Sequence, residues 1–220
     1  MLEWTNIAAA QTPAGNEFVL AQRGDDWAIR VDGRMLMSSR LHHSETELAE
    51  RPLALADEAR SVLVGGLGLG FTLRAVLDRM TDDSEITVAE LVPEIVEWNR
   101  TYLSELNGHA LSDARCTVVV GDVYDTLKRS PGKFDVLLLD VDNGPQSLTQ
   151  AKNQRLYVDS GRRACHRALT PGGVLAVWAV GKNAKYRRNL ESLGFTVEEQ
   201  RVAAREGSRA SHVIFLAQRG

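Results

Sequence analysis

Only two cysteines, Cys116 and Cys165, occur in the 220 residues, far apart and without metal-ligand spacing. Their scarcity excludes a disulfide-stapled secreted scaffold and a cysteine zinc module. It leaves two reduced thiols in or near a core. Long apolar runs are also missing. The strongest pieces, such as Phe134 to Asp140, are short and end in acids or glycines. They fall well below the roughly 18–20 residues that cross a bilayer, so a membrane is not an expected partner. Glu3 stands where a secretory leader has a basic cluster, and Ile7 to Ala10 is too short for a signal core. A cytoplasmic location is the default expectation. Neither charge dominates: 26 Lys+Arg against 29 Asp+Glu give a net charge of −3. Such a chain is not built to neutralise a phosphate backbone, so nucleic acid is not an expected partner. A hydrophobic share of 44% with 25% charged residues is ordinary for a folded protein and excludes a disordered one.

No internal repeat or low-complexity tract occurs, and the pattern changes near residue 55. Residues 1–55 read as a small β-hairpin region with a linker helix. Phe18 to Leu20 precedes a Gly24-Asp25 turn, Trp27 to Val31 alternates, and Asp32-Gly33 is a strong hairpin dipeptide before the returning strand at Arg34 to Met37. Two or three such strands bury little alone, so they must pack on the rest of the chain or on a second subunit, and a homodimer is expected. Ser44-Glu45-Thr46-Glu47 fits a capping box at the start of a helix that Pro52 interrupts or restarts.

Residues 56–220 alternate strands and helices. Strands are expected at Ser61 to Val64, Glu85 to Glu90, Thr117 to Val120, Phe134 to Asp140, Val174 to Ala179, Phe195 to Arg201 and Ser211 to Ala217. Helices are expected at Phe71 to Met80, Pro93 to Leu103, Leu148 to Leu169 and Lys182 to Leu193. This is an α/β fold with a doubly wound, mostly parallel seven-stranded sheet, Rossmann-like, whose last two strands must be antiparallel because their connection is too short for a crossover.

Ligands on such sheets sit beyond the carboxyl ends of the strands. After the first parallel strand comes Gly65-Gly66-Leu67-Gly68-Leu69-Gly70, a turn that lets the backbone approach a ligand. Glu90 ends the next strand, where an acid can accept from ribose hydroxyls. Gly121-Asp122 follows the third, where an acid can accept from a purine amine or cap the next helix. Asp140 and Asp142 follow the fourth. Each feature alone has a bland explanation, but four strand ends in series point to nucleoside binding. Phe71 stands where a dinucleotide fingerprint wants glycine. Gly66, Gly68 and Gly70 with Glu90 and Asp122 fit an adenosyl group carrying a thioether or sulfonium. Trp178 can line the pocket or the core, and the Arg162, Arg163 and Arg167 set reads as a solvated helix face.

Over roughly residues 15–180 the chain resembles the spermidine synthase (polyamine aminopropyltransferase) family, which shares the class I methyltransferase fold. The resemblance is carried by Val62 to Arg74, Val88 to Val96, Gly121-Asp122-Val123, Phe134 to Asp140, Leu156-Tyr157 and Arg167 to Gly173. It implies a transferase using decarboxylated S-adenosylmethionine, without a metal, on a small-molecule amine. By the same resemblance Asp140 is catalytic. Gly66, Gly68, Gly70, Glu90, Leu91, Asp122 and Val123 bind the nucleoside, and Asp142, Tyr157 and His43 contact substrate. The chain departs from the family pattern at Leu69, in place of an Asp that holds the donor's amine, and at Val92 and Val123. The family's Asp-x-x-Asp shortens to Asp140-x-Asp142, and Leu36 or Met37 stands where a substrate-contacting Gln is expected. These departures leave an S-adenosylmethionine-dependent methyltransferase and a non-catalytic nucleoside-binding relative open as alternatives.

Overall fold

A computed structural model describes residues 2–11, 15–56, 58–140, 154–203 and 210–220. Four strands, β1 (Thr5–Gln11), β2 (Glu17–Arg23), β3 (Asp26–Val31) and β4 (Arg34–Ser38), form an antiparallel meander in that order. The β3–β4 turn places both Asp32 and Gly33 at positive φ, 49° and 75°, the twist a two-residue hairpin needs. Asp32 also accepts hydrogen bonds from Asn16 and from the Glu17 amide, tying the turn to the start of β2. Strand β1 escapes a period-2 reading because Ile7 to Ala10 has no polar residue to alternate with.

The larger sheet contains β5 (Ser61–Gly65), β6 (Glu85–Glu90), β7 (Cys116–Val120), β8 (Phe134–Leu139), β9 (Leu169–Ala179), β10 (Phe195–Ala203) and β11 (Ser211–Arg219). Their order is β10-β11-β9-β8-β5-β6-β7. Strands β5 to β9 pair in parallel, and β11 runs antiparallel between β9 and β10. The expected antiparallel closing pair is present. Strand β9 begins earlier than expected, at Leu169, and takes the Pro171-Gly172-Gly173 turn in as an irregularity of register against β8.

The helices are α1 (His43–Leu55), α2 (Phe71–Arg79), α3 (Pro93–Thr101), α4 (Val123–Arg129), α5 (Gln154–Tyr157), α6 (Asp159–Ala168) and α7 (Ala184–Glu191). Side chains alternate across β5: Val62 and Val64 join a core with α1, α2 and α3, while Leu63 joins one with α4, α6 and α7. The first core also takes Ala10, Phe18, Leu20 and Ile29 from the small sheet. The small sheet therefore buries its inner face within this chain, which meets the burial requirement that pointed to a second subunit.

The capping box at Ser44 does not form. Helix α1 starts at His43, the side chain of its cap His42 turns back to the Ser39 carbonyl at 2.7 Å rather than capping the helix, and Ser44 Oγ donates instead to Glu45 Oε2 at 2.9 Å. Ser44 is buried, so its hydroxyl serves the interior rather than the helix end. The helix runs on through Pro52, which is itself buried. Arg162 is not on a solvated face: it is 8% exposed and donates to the Tyr157 carbonyl. Among the described residues, no helix is long and apolar enough to cross a membrane.

Candidate active site

Strand order decides where the rim opens. With β5 central, the connections leave it in opposite directions toward β6–β7 and β8–β9, and a crevice results at the carboxyl ends. Strand β4 and the first turn of α1 lie across it, closing a cavity of about 410 Å³.

The turn between β5 and α2 forms the cavity floor. Gly68 (φ 54°) and Gly70 (φ 89°) occupy the left-handed region that side chains disfavour. A Cβ on Gly68 would stand 2.8 Å from Met37 Sδ, and one on Gly70 would stand 2.7 Å from Asn107 Nδ2. Two buried asparagines hold the turn. Asn99 Nδ2 donates to the Gly68 carbonyl at 2.8 Å, and Asn107 Nδ2 donates to Asn99 Oδ1 at 2.8 Å. Neither asparagine was signalled by the sequence, because each lies in a segment whose only visible pattern is helical or turn-like. Gly66 and Gly68 line the cavity, whereas Gly70 serves as the cap of α2 behind it.

Glu90 is 6% exposed, yet it faces the cavity. Its two oxygens accept from the Leu67 and Val92 amides, each at 2.8 Å, which fixes the carboxylate in place at the cavity wall. Asp122 both caps α4, accepting from the Tyr124 amide at 2.9 Å, and lines the cavity. Arg155 Nη1 lies 3.6 Å from its other oxygen. Leu91 and Val123 add apolar wall beside these acids.

Asp140 follows β8, with its amide donating to the Gly65 carbonyl and its Oδ2 accepting from Thr72 Oγ1 at 2.9 Å. Glu45, at the start of α1, faces the same space. Burial, and then the charge of Asp140, raise its carboxyl from 4.5 to about 8, against the opposing hydrogen bonds from Ser44 and from its own amide. Sequence reading placed Glu45 inside a helix cap and so missed it. Only the packing of α1 across the rim turns it inward. Trp178 lines the cavity, its ring 4.5 Å from that of His212, whose imidazole burial holds below its ordinary range.

Other expected contacts fall elsewhere. Tyr157 does not line the cavity. It is 8% exposed and packs edge-on to Tyr186, because the α5–α6 segment lies over the second core. His43 points toward Glu47 on its own helix, 3.8 Å away, and it is His42 that stacks on Phe71 at 4.3 Å between centroids. Asp142 lies outside the described residues. Leu69 is on the cavity wall and gives it an apolar side chain. Burial raises the two thiols, to about 11 for Cys116 and about 12 for Cys165, so both are inert, and neither lines the cavity.

A sheet in this order, with a glycine turn after its central strand and acids at the ends of its neighbours, defines an α/β protein of the class I methyltransferase-like fold. The family model for the spermine/spermidine synthase domain matches residues 41–192, and the chain belongs to that family. It is 34% identical over 176 residues to a polyamine aminopropyltransferase of Mycobacterium tuberculosis, covering 79% of this chain and 32% of that one. It is 35% identical over 179 residues to polyamine aminopropyltransferase 2 of Pseudomonas aeruginosa, covering 79% and 46%. The chain thus spans about a third to just under half of the length of these curated relatives. Among solved structures, a spermidine synthase in complex with the transition-state analogue AdoDATO superposes with a TM-score of 0.83 at 19% identity, covering all of this chain and 75% of that one. The spermidine synthase of Thermotoga maritima gives 0.78 at 19% identity, covering 98% and 72%.

Proposed function

We propose that the chain transfers an aminopropyl group from decarboxylated S-adenosylmethionine to a small-molecule amine. The observation that carries this reading is the charge of the cavity. Among its described lining residues stand three carboxylates, Glu90, Asp122 and Asp140, with Glu45 as a fourth acid that keeps its proton below about 8, and no Lys or Arg. Such a lining favours a donor bearing a sulfonium and an ammonium, and disfavours one that adds a carboxylate. Gly66 and Gly68 let the backbone approach the adenosyl group, Glu90 receives the ribose hydroxyls, Asp122 the purine amine, and Leu91 and Val123 flank the base.

The donor supplies a methylene activated by sulfonium: the acceptor's lone pair forms the N–C bond, the C–S pair passes to sulfur, and methylthioadenosine leaves. The chain's own task is the acceptor's proton. An alkyl amine with a pKa near that of lysine, ~10.4, is neutral in roughly one molecule per thousand at pH 7. Asp140, held by Thr72, orients this amine and takes its proton. Alignment of nitrogen, carbon and sulfur contributes the remainder. We place the reaction in the cytoplasm, since both cysteines are free thiols, the state a reducing compartment maintains.

Calorimetric titration with methylthioadenosine, decarboxylated S-adenosylmethionine and S-adenosylmethionine tests the donor, and chromatographic detection of methylthioadenosine with a panel of amines tests the transfer. Tighter binding of the decarboxylated donor, with release dependent on amine, is expected. Asp140→Asn should lower release by about 10²–10⁴-fold while leaving methylthioadenosine affinity nearly unchanged. Tighter binding of S-adenosylmethionine together with a methylated product would replace this reading with methyl transfer.

A further inference from the structure

The acceptor's proton must leave before its nitrogen can attack, and a lone carboxylate is a poor destination for it. An alkyl ammonium gives up its proton near ~10.4, whereas an isolated Asp takes one only near ~3.9, a gap of roughly six units. A catalytic carboxyl becomes effective when its environment narrows such a gap. The structure sets a second acid against Asp140. The first turn of α1 lies across the rim, so that Glu45, which opens α1, and Asp140, which follows β8, line the same cavity. Each acid is fixed from its own side by a buried hydroxyl. Ser44 donates to Glu45 Oε2, and Thr72 of α2 donates to Asp140 Oδ2, both at 2.9 Å. The Asp140 amide is anchored on the Gly65 carbonyl, also at 2.9 Å.

Two carboxyls held in one space bind their first proton more firmly than either does alone, because each opposes the charge of the other. Burial, and then the charge of Asp140, raise Glu45 from 4.5 to about 8. The described charged groups around α1 are engaged elsewhere. On the helix itself His43 and Arg51 turn to Glu47, and just before it Arg40 turns to Asp26. Arg79 of α2 turns to Glu50, further along the helix, and Gln200 of β10 receives Arg51. Asp135 of β8 is held at the opposite end of its strand by the Arg60 amide and Thr170. From β9 comes Trp178, which carries no charge, and from β11 comes His212, whose ring burial keeps neutral. Glu90 and Asp122, at the ends of β6 and β7, add negative charge to the same cavity.

From this arrangement, and resting on the aminopropyl reading, we propose that Glu45 is the second member of a proton-accepting pair, in which Asp140 takes the acceptor's proton and shares it with an ionised Glu45. Glu45 touches no substrate in this step and acts through Asp140, as a positioning residue. An N–H bond of the acceptor's ammonium breaks, and an O–H bond forms on the pair. The freed lone pair then closes the N–C bond, and the C–S pair passes to sulfur. After methylthioadenosine departs, the pair returns its proton to water. The acceptor's proton thus meets a site that binds it with an affinity of about 8, which narrows the gap from roughly six units to roughly two. When Glu45 already holds a proton it cannot share a second, and Asp140 alone is the weaker base. Transfer therefore accelerates as pH rises through about 8.

The test is the pH profile of methylthioadenosine release from decarboxylated S-adenosylmethionine, with putrescine, cadaverine and spermidine tried in turn and the fastest kept. In the unaltered protein kcat/KM should climb toward about pH 8 and then bend. Glu45→Gln should lose the bend and fall on the order of 10–100-fold below the unaltered protein at about pH 9, the gap closing as pH falls. Infrared difference spectra follow the same acid without turnover. In the unaltered protein a protonated carboxyl band should vanish as pH passes about 8, and Glu45→Gln should lack that band. A bend that survives in Glu45→Gln overturns the proposal and leaves aminopropyl transfer standing. An unaltered protein without such a band overturns it too, whether or not the variant folds. Donor binding by calorimetry without release to any of the three amines removes the transfer reading, and this proposal with it.

Discussion

Glu45 and Asp140 face one another across a space that water reaches only in part, and the cost falls on Glu45. Between its ordinary 4.5 and about 8, the folded protein keeps a proton on Glu45 that the unfolded chain releases. The stability this group contributes is therefore full at acidic pH and is lost as pH rises through about 8. At 1.36 kcal/mol per unit the shift is large, but the side chain is half-buried, and solvent reduces the penalty to on the order of 1–2 kcal/mol. Glu45→Gln should raise the melting temperature by a few degrees at pH 8.5 and by little at pH 5. Thermal unfolding of both proteins at the two pH values checks this, and a gain confined to pH 5 would contradict it. Of the acids at the rim, Glu90, Asp122 and Asp140 were legible as strand ends, because a strand's terminus is marked by its own apolar run. Glu45 was not, since a helix start says nothing about which surface it will cover.

Within the elements, the glycine turn shows how a short motif depends on distant support. Its three φ values are positive at Gly66, Gly68 and Gly70, and its carbonyls are held from α3 and from the loop that follows it. Gly70→Ala forces a left-handed conformation on alanine and drives its Cβ against Asn107 and Asn99. A loss of about 1–3 kcal/mol is expected by urea denaturation, with weaker methylthioadenosine binding. The strands of the larger sheet were readable as apolar runs bounded by turn residues, and the β3–β4 hairpin from Asp32-Gly33. Three local features were not: the missing cap at Ser44, the continuity of α1 through Pro52, and the inward turn of Tyr157. Each was decided by burial against another element, which overrides a local hydrogen-bonding preference.

At the scale of the molecule, a net charge of −3 gives little hint of the cavity's field, because acids and bases are nearly balanced over the chain, whereas the described lining of the crevice holds four acids and no Lys or Arg. Affinity for decarboxylated S-adenosylmethionine should fall several-fold between about 0.05 and 0.5 M salt, while that for uncharged methylthioadenosine stays nearly constant. Parallel titrations at the two salt concentrations decide this, and equal salt dependence would contradict it. The small sheet shares the first core with α1, α2 and α3, so its β4 is fixed over the glycine turn rather than tethered beside it. From the sequence by itself came the alternation of strands and helices, the glycine turn and the acids that end the strands, since all are encoded within a few residues of one another. Tertiary structure alone decided that Glu45 meets Asp140, that Asn99 and Asn107 hold the turn, and that Tyr157 turns away. Those juxtapositions join segments tens of residues apart, and only the order of the strands and the packing of α1 bring them together.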